Sequence, residues 1–190
     1  MMNYLELIAK PAASTVNVGL ASPKLALLRE IFGEPRDSYT GECQDITNPQ
    51  LARQIKTLSV GPFRATGVET ALLAMADVMA TVKEEVPDLY AILGSAGMAC
   101  ARKRKIRQPN GSIKLSSLPS NHSWGLAIDI KLNGVVDRQG DDKCFRGLLI
   151  LARYFNAAGW YWGVSYPTED AMHFEVSQSL LQRWRKDGKV

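Results

Sequence analysis

The sequence holds only two histidines and three cysteines in 190 residues. The cysteines, Cys43, Cys100 and Cys144, are odd in number and far apart. A disulfide framework is therefore not expected, and the thiols are read as reduced. No CxxC spacing occurs, which excludes a cysteine-built zinc knuckle. No His-Glu-x-x-His occurs, which excludes the helical zinc proteases. No apolar run approaches the roughly 18 residues of a membrane helix, so no membrane insertion is expected. The opening Met1-Met2-Asn3-Tyr4-Leu5-Glu6 has no basic stretch leading into an apolar run, so no secretory signal is expected. The net charge of +4 favours an anionic polymer without naming one. The densest basic run, Arg102-Lys103-Arg104-Lys105-Ile106-Arg107, has no interleaved aromatics. It reads as a solvated loop, and no nucleic acid partner is expected.

Both histidines sit in segments that carry chemistry. The first is Ser120-Asn121-His122-Ser123-Trp124-Gly125-Leu126-Ala127-Ile128-Asp129. The second is Asp170-Ala171-Met172-His173-Phe174-Glu175. Two imidazoles, a carboxylate seven residues after the first and another three residues before the second are the parts of a three-ligand zinc site with a general base beside it. From Leu126 to Leu132 apolar residues alternate with Ala127, Asp129 and Lys131, as in a half-buried strand with Asp129 on its polar face. Met172 to Val176 alternates likewise, with His173 and Glu175 on one face. If the strands are neighbours, Asp129 and His173 project from the same side of a sheet. His122 and Asp170 then enter from the loops before each strand. Glu175 either buttresses a ligand or is an ordinary exposed strand residue. A lone histidine beside an apolar strand is usually structural, but strands are depleted in aspartate, so Asp129 argues for the site.

No linker, repeat or low-complexity segment divides the chain, and its length suits one domain over residues 1–190. Ser22-Pro23 reads as the cap and first turn of a helix over 24–32, ended by Gly33. Thr66-Gly67-Val68-Glu69 has capping-box spacing and opens a helix with the apolar stripe Val68, Leu72, Met75, Met79, Val82 and Val86. Pro87 stops it. Residues 89–93 read as a strand, Pro109-Asn110-Gly111 as a turn and Asn133-Gly134 as a hairpin turn. A helix is expected over 145–158, closed by Gly159, and another from a Ser177 cap to about Lys186. The pattern predicts an α+β fold with a small, largely antiparallel sheet carrying the zinc site and packed with helices.

These residues resemble the zinc D-alanyl-D-alanine carboxypeptidases and the related phage endolysin peptidases (VanY-like). That family carries Ser-x-His-x-x-Gly-x-Ala-x-Asp, matched by Ser120, His122, Gly125, Ala127 and Asp129, then Asp/Glu-x-x-His, matched by Asp170 and His173. Gly159-Trp160-Tyr161-Trp162-Gly163 is similar to the phage-type branch. The likeness spans roughly residues 61–184 and implies a catalytic core over 61–190, with a helical part over 1–60 left unplaced. The resemblance implies Zn²⁺ on His122, Asp129 and His173, with Asp170 as general acid/base and Glu169 as its rival. It implies a substrate arginine, Arg102 or Arg104, and a substrate-facing Ser120 and Trp124. Trp160 and Trp162 either join Trp124 in walling the cleft or pack in the core. The implied substrate is the stem peptide of bacterial peptidoglycan, cut at an L-Ala-D-Glu or D-Ala-containing bond. The implied setting is a monomeric endolysin made in the host cytoplasm that acts on the wall after release. Other readings are a D,D-dipeptidase or carboxypeptidase acting on small peptides, and a non-catalytic wall-binding protein of the same fold.

Overall fold

A computed structural model describes residues 2–108 and 110–190. The first half of the chain forms β1 (Leu7–Ala9), α1 (Leu25–Phe32), α2 (Pro49–Gln54), β2 (Ile55–Ser59), β3 (Arg64–Val68), α3 (Glu69–Glu85), α4 (Pro87–Tyr90) and β4 (Leu93–Gly97). The second half forms β5 (Lys103–Arg107), β6 (Ile113–Pro119), β7 (Ala127–Leu132), β8 (Val135–Val136), β9 (Lys143–Phe145), α5 (Arg146–Ala157), β10 (Trp160–Trp162), β11 (His173–Val176) and α6 (Gln178–Lys186). The fold is α+β. The central sheet runs β10-β11-β7-β4, with β8 added to the end of β7, and its pairings are antiparallel.

The alternation in β7 sets the geometry of this sheet. Leu126, Ile128, Ile130 and Leu132 are fully buried, whereas Asp129 and Lys131 turn to the other face. Each such aliphatic side chain contributes roughly 1.5–3 kcal/mol when buried. A one-residue slip would send all four to the wrong face, so the register is strongly fixed. Against the apolar face lie Leu72, Met75, Met79 and Val82 of α3, and Leu148, Leu151 and Phe155 of α5. Phe174 of β11 stacks on Phe155 at 4.4 Å and lies parallel to Trp162 at 5.9 Å. Such aromatic pairs add about 0.5–1.5 kcal/mol beyond their burial.

Residues 2–60 feed the same buried cluster through Leu28, Phe32 and Leu51. They also pair β1 with β9, Leu7 opposite Phe145. Asn133 and Gly134, at φ 50° and 79°, join β7 to β8 as the expected tight turn. Helix α5 ends before Gly159, and Ser177 Oγ accepts the Leu180 amide to start α6, both as expected.

Several local expectations are corrected. Helix α1 starts at Leu25 with Lys24 as its cap, and Ser22 lies outside it, 3.5 Å from the Asn121 side chain. Thr66 is no capping residue. The β2–β3 hairpin holds it on a strand with its hydroxyl on Thr57 (2.7 Å), and α3 begins after an extended Val68. Leu89 and Tyr90 lie in α4, which uses Pro87 at its first turn, and the strand starts later, at Leu93. Of the turn read at residues 109–111, Pro109 lies outside the described residues.

The cysteine reading is also corrected. Cys43 and Cys100 are joined in a disulfide with a Cα–Cα separation of 5.0 Å. A reciprocal backbone bridge between Gln44 and Ala101, 3.1 Å in each direction, brings them together. Sequence spacing carries no trace of a pairing 57 residues apart. Only Cys144 is free, and it is buried. Closing a loop of this length removes denatured-state entropy worth about 4 kcal/mol. The Cys43→Ala/Cys100→Ala variant is expected to lose about that much in urea unfolding, and wild type under reductant should follow it. Coincident curves for all three would show that the bridge contributes nothing.

Candidate metal centre

The register of two strands does most of the positioning. His173 of β11 stands directly opposite Asp129 of β7. Cross-strand neighbours on one face lie about 4.5–5.5 Å apart at Cβ, which is contact range for these side chains. His122 arrives from a short 3-10 turn, Asn121–Trp124, that ends at Gly125 in the left-handed region (φ 65°). The Gly125 carbonyl accepts the Val68 amide at 3.0 Å. A Cβ on Gly125 would lie 3.1 Å from Gly67 Cα and 3.2 Å from Val68 N, so both conformation and space demand glycine there.

The imidazoles are oriented by what their outer nitrogens touch. His122 Nδ1 lies 2.8 Å from the Met98 carbonyl, which can only accept. His173 Nε2 lies 3.2 Å from a Glu175 carboxylate oxygen. Both outer nitrogens therefore carry the proton, and His122 Nε2 and His173 Nδ1 turn their lone pairs inward. They meet Asp129 Oδ1. The three inward atoms are 3.1 Å apart between the imidazoles and 3.2 Å from each imidazole to the carboxylate. With the inner nitrogens unprotonated the three acceptors repel, so the cluster calls for a positive charge among them, a proton or a metal ion. Ligands of tetrahedral zinc at about 2.0–2.1 Å stand roughly 3.3 Å from one another. The donor set and its spacing fit zinc.

The electrostatics show the same demand for positive charge. Burial alone would raise Asp129, but the charges and hydrogen bonds of His122 and His173 hold it far below the usual carboxylate range. Burial disfavours charge on His173, yet its hydrogen bonds to Asp129 and Glu175 prevail and push it up to about 10. Glu175 is fully buried and not an exposed strand residue. It accepts from Tyr166 Oη (2.7 Å) and from Asn121 Nδ2 as well as from His173. Burial raises it, and the His173 contacts bring it below its ordinary value.

Asp170 and Glu169 separate clearly. Glu169 is buried and accepts the backbone amides of Gly140 (2.7 Å) and Asp142 (3.1 Å), which hold the loop before β9. Asp170 lines the cleft over the centre. Its Oδ2 accepts from Gln139 (3.1 Å), while its Oδ1 has no partner among the described residues. Burial pushes Asp170 up to about 6, with the imidazole charges opposing and Asp129 and Glu169 adding to the rise.

The cleft encloses about 670 Å³. Ser120 lines it, its amide on the Arg102 carbonyl at 2.9 Å. Arg102 and Arg104 both line it. Trp124, expected to face substrate, is instead fully buried, with its indole N–H on the Gly33 carbonyl at 2.9 Å. Trp160 and Trp162 are likewise core. Sequence reasoning missed the Met98 carbonyl, Asn121, Tyr166 and Gln139. Asn121 had a signal in its adjacency to His122. The others come from distant segments and had none.

Residues 115–176 match the model of a family described as D-alanyl-D-alanine carboxypeptidase. The matched segment runs from β6 through β11 and contains His122, Asp129, Asp170 and His173, while Arg102 precedes it. It covers 62 of the 190 residues. No curated protein matches the chain. Among the described residues, no helix is long and apolar enough to cross a membrane.

Asp137, at the cleft wall, yields a test of these electrostatics away from the metal ligands. It is 2% exposed, and its Oδ2 accepts the Phe145 amide at 2.7 Å. Burial pushes its pKa up to about 7, against the Phe145 amide and helped by Asp141, Glu169 and Asp170. An unfolded aspartate titrates near ~3.9. The fold thus favours the protonated acid, and this contribution is complete below about pH 4 and lost as pH rises through 7. Asp137→Asn keeps an acceptor for Phe145 and removes the titration. Its melting temperature should match wild type at pH 4 and exceed it by about 2–4 °C at pH 8, the size of a ~1 kcal/mol gain. Parallel melting curves across pH would refute the assignment.

Proposed function

We propose that this chain is a zinc-dependent peptidase acting on the stem peptides of bacterial peptidoglycan. The observation that carries the reading is the convergence of three atoms able to ligate a metal, His122 Nε2, Asp129 Oδ1 and His173 Nδ1, within 3.1–3.2 Å, beside a carboxylate with one free oxygen among the described residues. His122, Asp129 and His173 would hold the metal. A zinc ion there supplies Lewis acidity that makes water a competent nucleophile at neutral pH. Asp170 takes the proton from that water at Oδ1 and returns it to the leaving amine, a role typically worth ~10²–10⁴ in rate. Gln139, on Oδ2, fixes which oxygen works. Arg102, or Arg104 beside it, donates to the substrate carbonyl oxygen as charge builds there, typically worth ~10²–10³. Ser120 lies against the substrate and ties the His122 turn to Arg102.

The family match supports hydrolysis at D-alanine-containing bonds, and L-Ala-D-Glu is the other bond this reading admits. The finer reading is a monomeric endolysin of one peptidase domain, with the catalytic core over 61–190 and an N-terminal part over 1–60, acting on the wall after release from a host cytoplasm.

Mass spectrometry of purified peptidoglycan incubated with the protein should show new stem-peptide fragments that vanish with a chelator. Intact peptidoglycan from a zinc-loaded sample would overturn the proposal. Asp170→Asn should keep one zinc per chain and lose at least about 10²-fold in hydrolysis. His173→Ala should lose the zinc itself, and full metal occupancy in that variant would remove it from the ligand set.

A further inference from the structure

The cleft carries more positive charge than this mechanism uses. Arg102, Arg104, Arg107 and Arg138 all line it. Among the described residues, the ion pairs within 4.0 Å involve none of these four guanidiniums. Arg102 or Arg104 serves the scissile bond, so Arg107 and Arg138 are surplus. They come from different segments that lie side by side at the cleft wall. Arg107 leaves the end of β5, and its side chain packs on Gly140, where an added Cβ would lie 3.7 Å from its Cδ. Arg138 is two residues before Gly140, and Gln139 between them holds Asp170. Arg107 Nη1 donates to the Gly111 carbonyl at 3.2 Å, while its Nε is buried without a partner among the described residues. A buried guanidinium N–H without an acceptor is costly, and the fork geometry matches a carboxylate.

We infer that Arg107 and Arg138 form a carboxylate-binding subsite that selects stem peptides by a free carboxylate beside the cleaved bond; this rests on the peptidase reading. Two groups of such a peptide offer that chemistry: the α-carboxylate of its γ-linked D-glutamate, and the side-chain carboxylate of a diamino-dicarboxylic third residue. A uniformly anionic polymer fits less well. Asp129, Asp137 and Asp170 line the same cleft; apart from the two imidazoles of the metal centre, its one aromatic ring among the described residues, Tyr166, has its hydroxyl committed to Glu175.

The test is calorimetric binding to full-length, zinc-loaded Asp170→Asn protein. Four synthetic stem peptides are compared: both carboxylates free, each amidated singly, and both amidated. Amidation at one position should weaken binding about tenfold, one charge-assisted hydrogen-bond pair, and the sensitive position names the source. Adding Arg138→Gln, an exposed position, should shrink that ratio, and adding Arg107→Gln as well should bring it to one, with zinc content and melting temperature unchanged. Arg107→Lys, which keeps charge without the fork, serves if Arg107→Gln fails to fold, and should still reduce the ratio. Equal binding of all four peptides, binding of none, or a ratio that survives these substitutions overturns the subsite. So does a single-stranded 12-mer oligonucleotide that binds more tightly than the fully free peptide. Wild-type hydrolysis separates the two readings. Carboxylate-dependent binding without cleavage removes the peptidase and leaves the subsite, while equal binding and equal cleavage of all four peptides does the reverse.

Discussion

The pairing of β7 with β11 in a single register places Asp129 opposite His173, and the centre is built outward from that pair. The register is held by Leu126, Ile128 and Ile130 on one strand and Phe174 and Val176 on the other, all fully buried. The apolar face of the sheet thus fixes the polar one. Shifting β11 by a single residue would put Phe174 across from Asp129 and bury a charge against an aromatic ring. Hydrophobic packing supplies the precision that the ligands cannot supply themselves, because three converging acceptors push one another apart.

Around that pair, each donor is held by a partner of fixed polarity. The Met98 carbonyl sets the tautomer of His122, and Glu175 sets that of His173. Glu175 is in turn held by Tyr166 and Asn121. A buried carboxylate with this many donors stays ionised and steadies its imidazole. Neighbouring Glu169 and Asp170 have opposite fates for the same kind of reason. Two backbone amides occupy the first, and a single side-chain amide leaves half of the second free.

What was legible in the sequence was local. The period of two in β7 and β11, the Asn133-Gly134 turn, the Ser177 cap and the apolar stripe of α3 depend on residues a few positions apart. That Asp129 and His173 would share a sheet face, if their strands were neighbours, was legible because each strand announces its polar face; that the strands are neighbours was not. Long-range geometry was not. Thr66 satisfies a capping pattern, but the five-pair hairpin with β2 claims it first. Cys43 meets Cys100 only because Gln44 and Ala101 bridge. Trp124 looks like a cleft residue from its place beside His122, yet the tight turn at Gly125 sends the indole inward to Gly33. The support of His122 by a backbone carbonyl is invisible in any sequence, since every residue has one.

The close approach of Gly125 to Gly67 has a bearing on how this chain can vary. Here two backbones touch with no room for a side chain between them: a Cβ on Gly67 would meet the Gly125 carbonyl oxygen at 2.8 Å. The turn that presents His122 is thereby seated on the entry to α3, main chain against main chain. Most core contacts tolerate a change of side chain if a neighbour adjusts its volume, but a contact between backbones has no such freedom. Positions 67 and 125 carry no functional group, yet drift in the surrounding sequence must leave both as they are, as strictly as it must leave the metal-facing side chains.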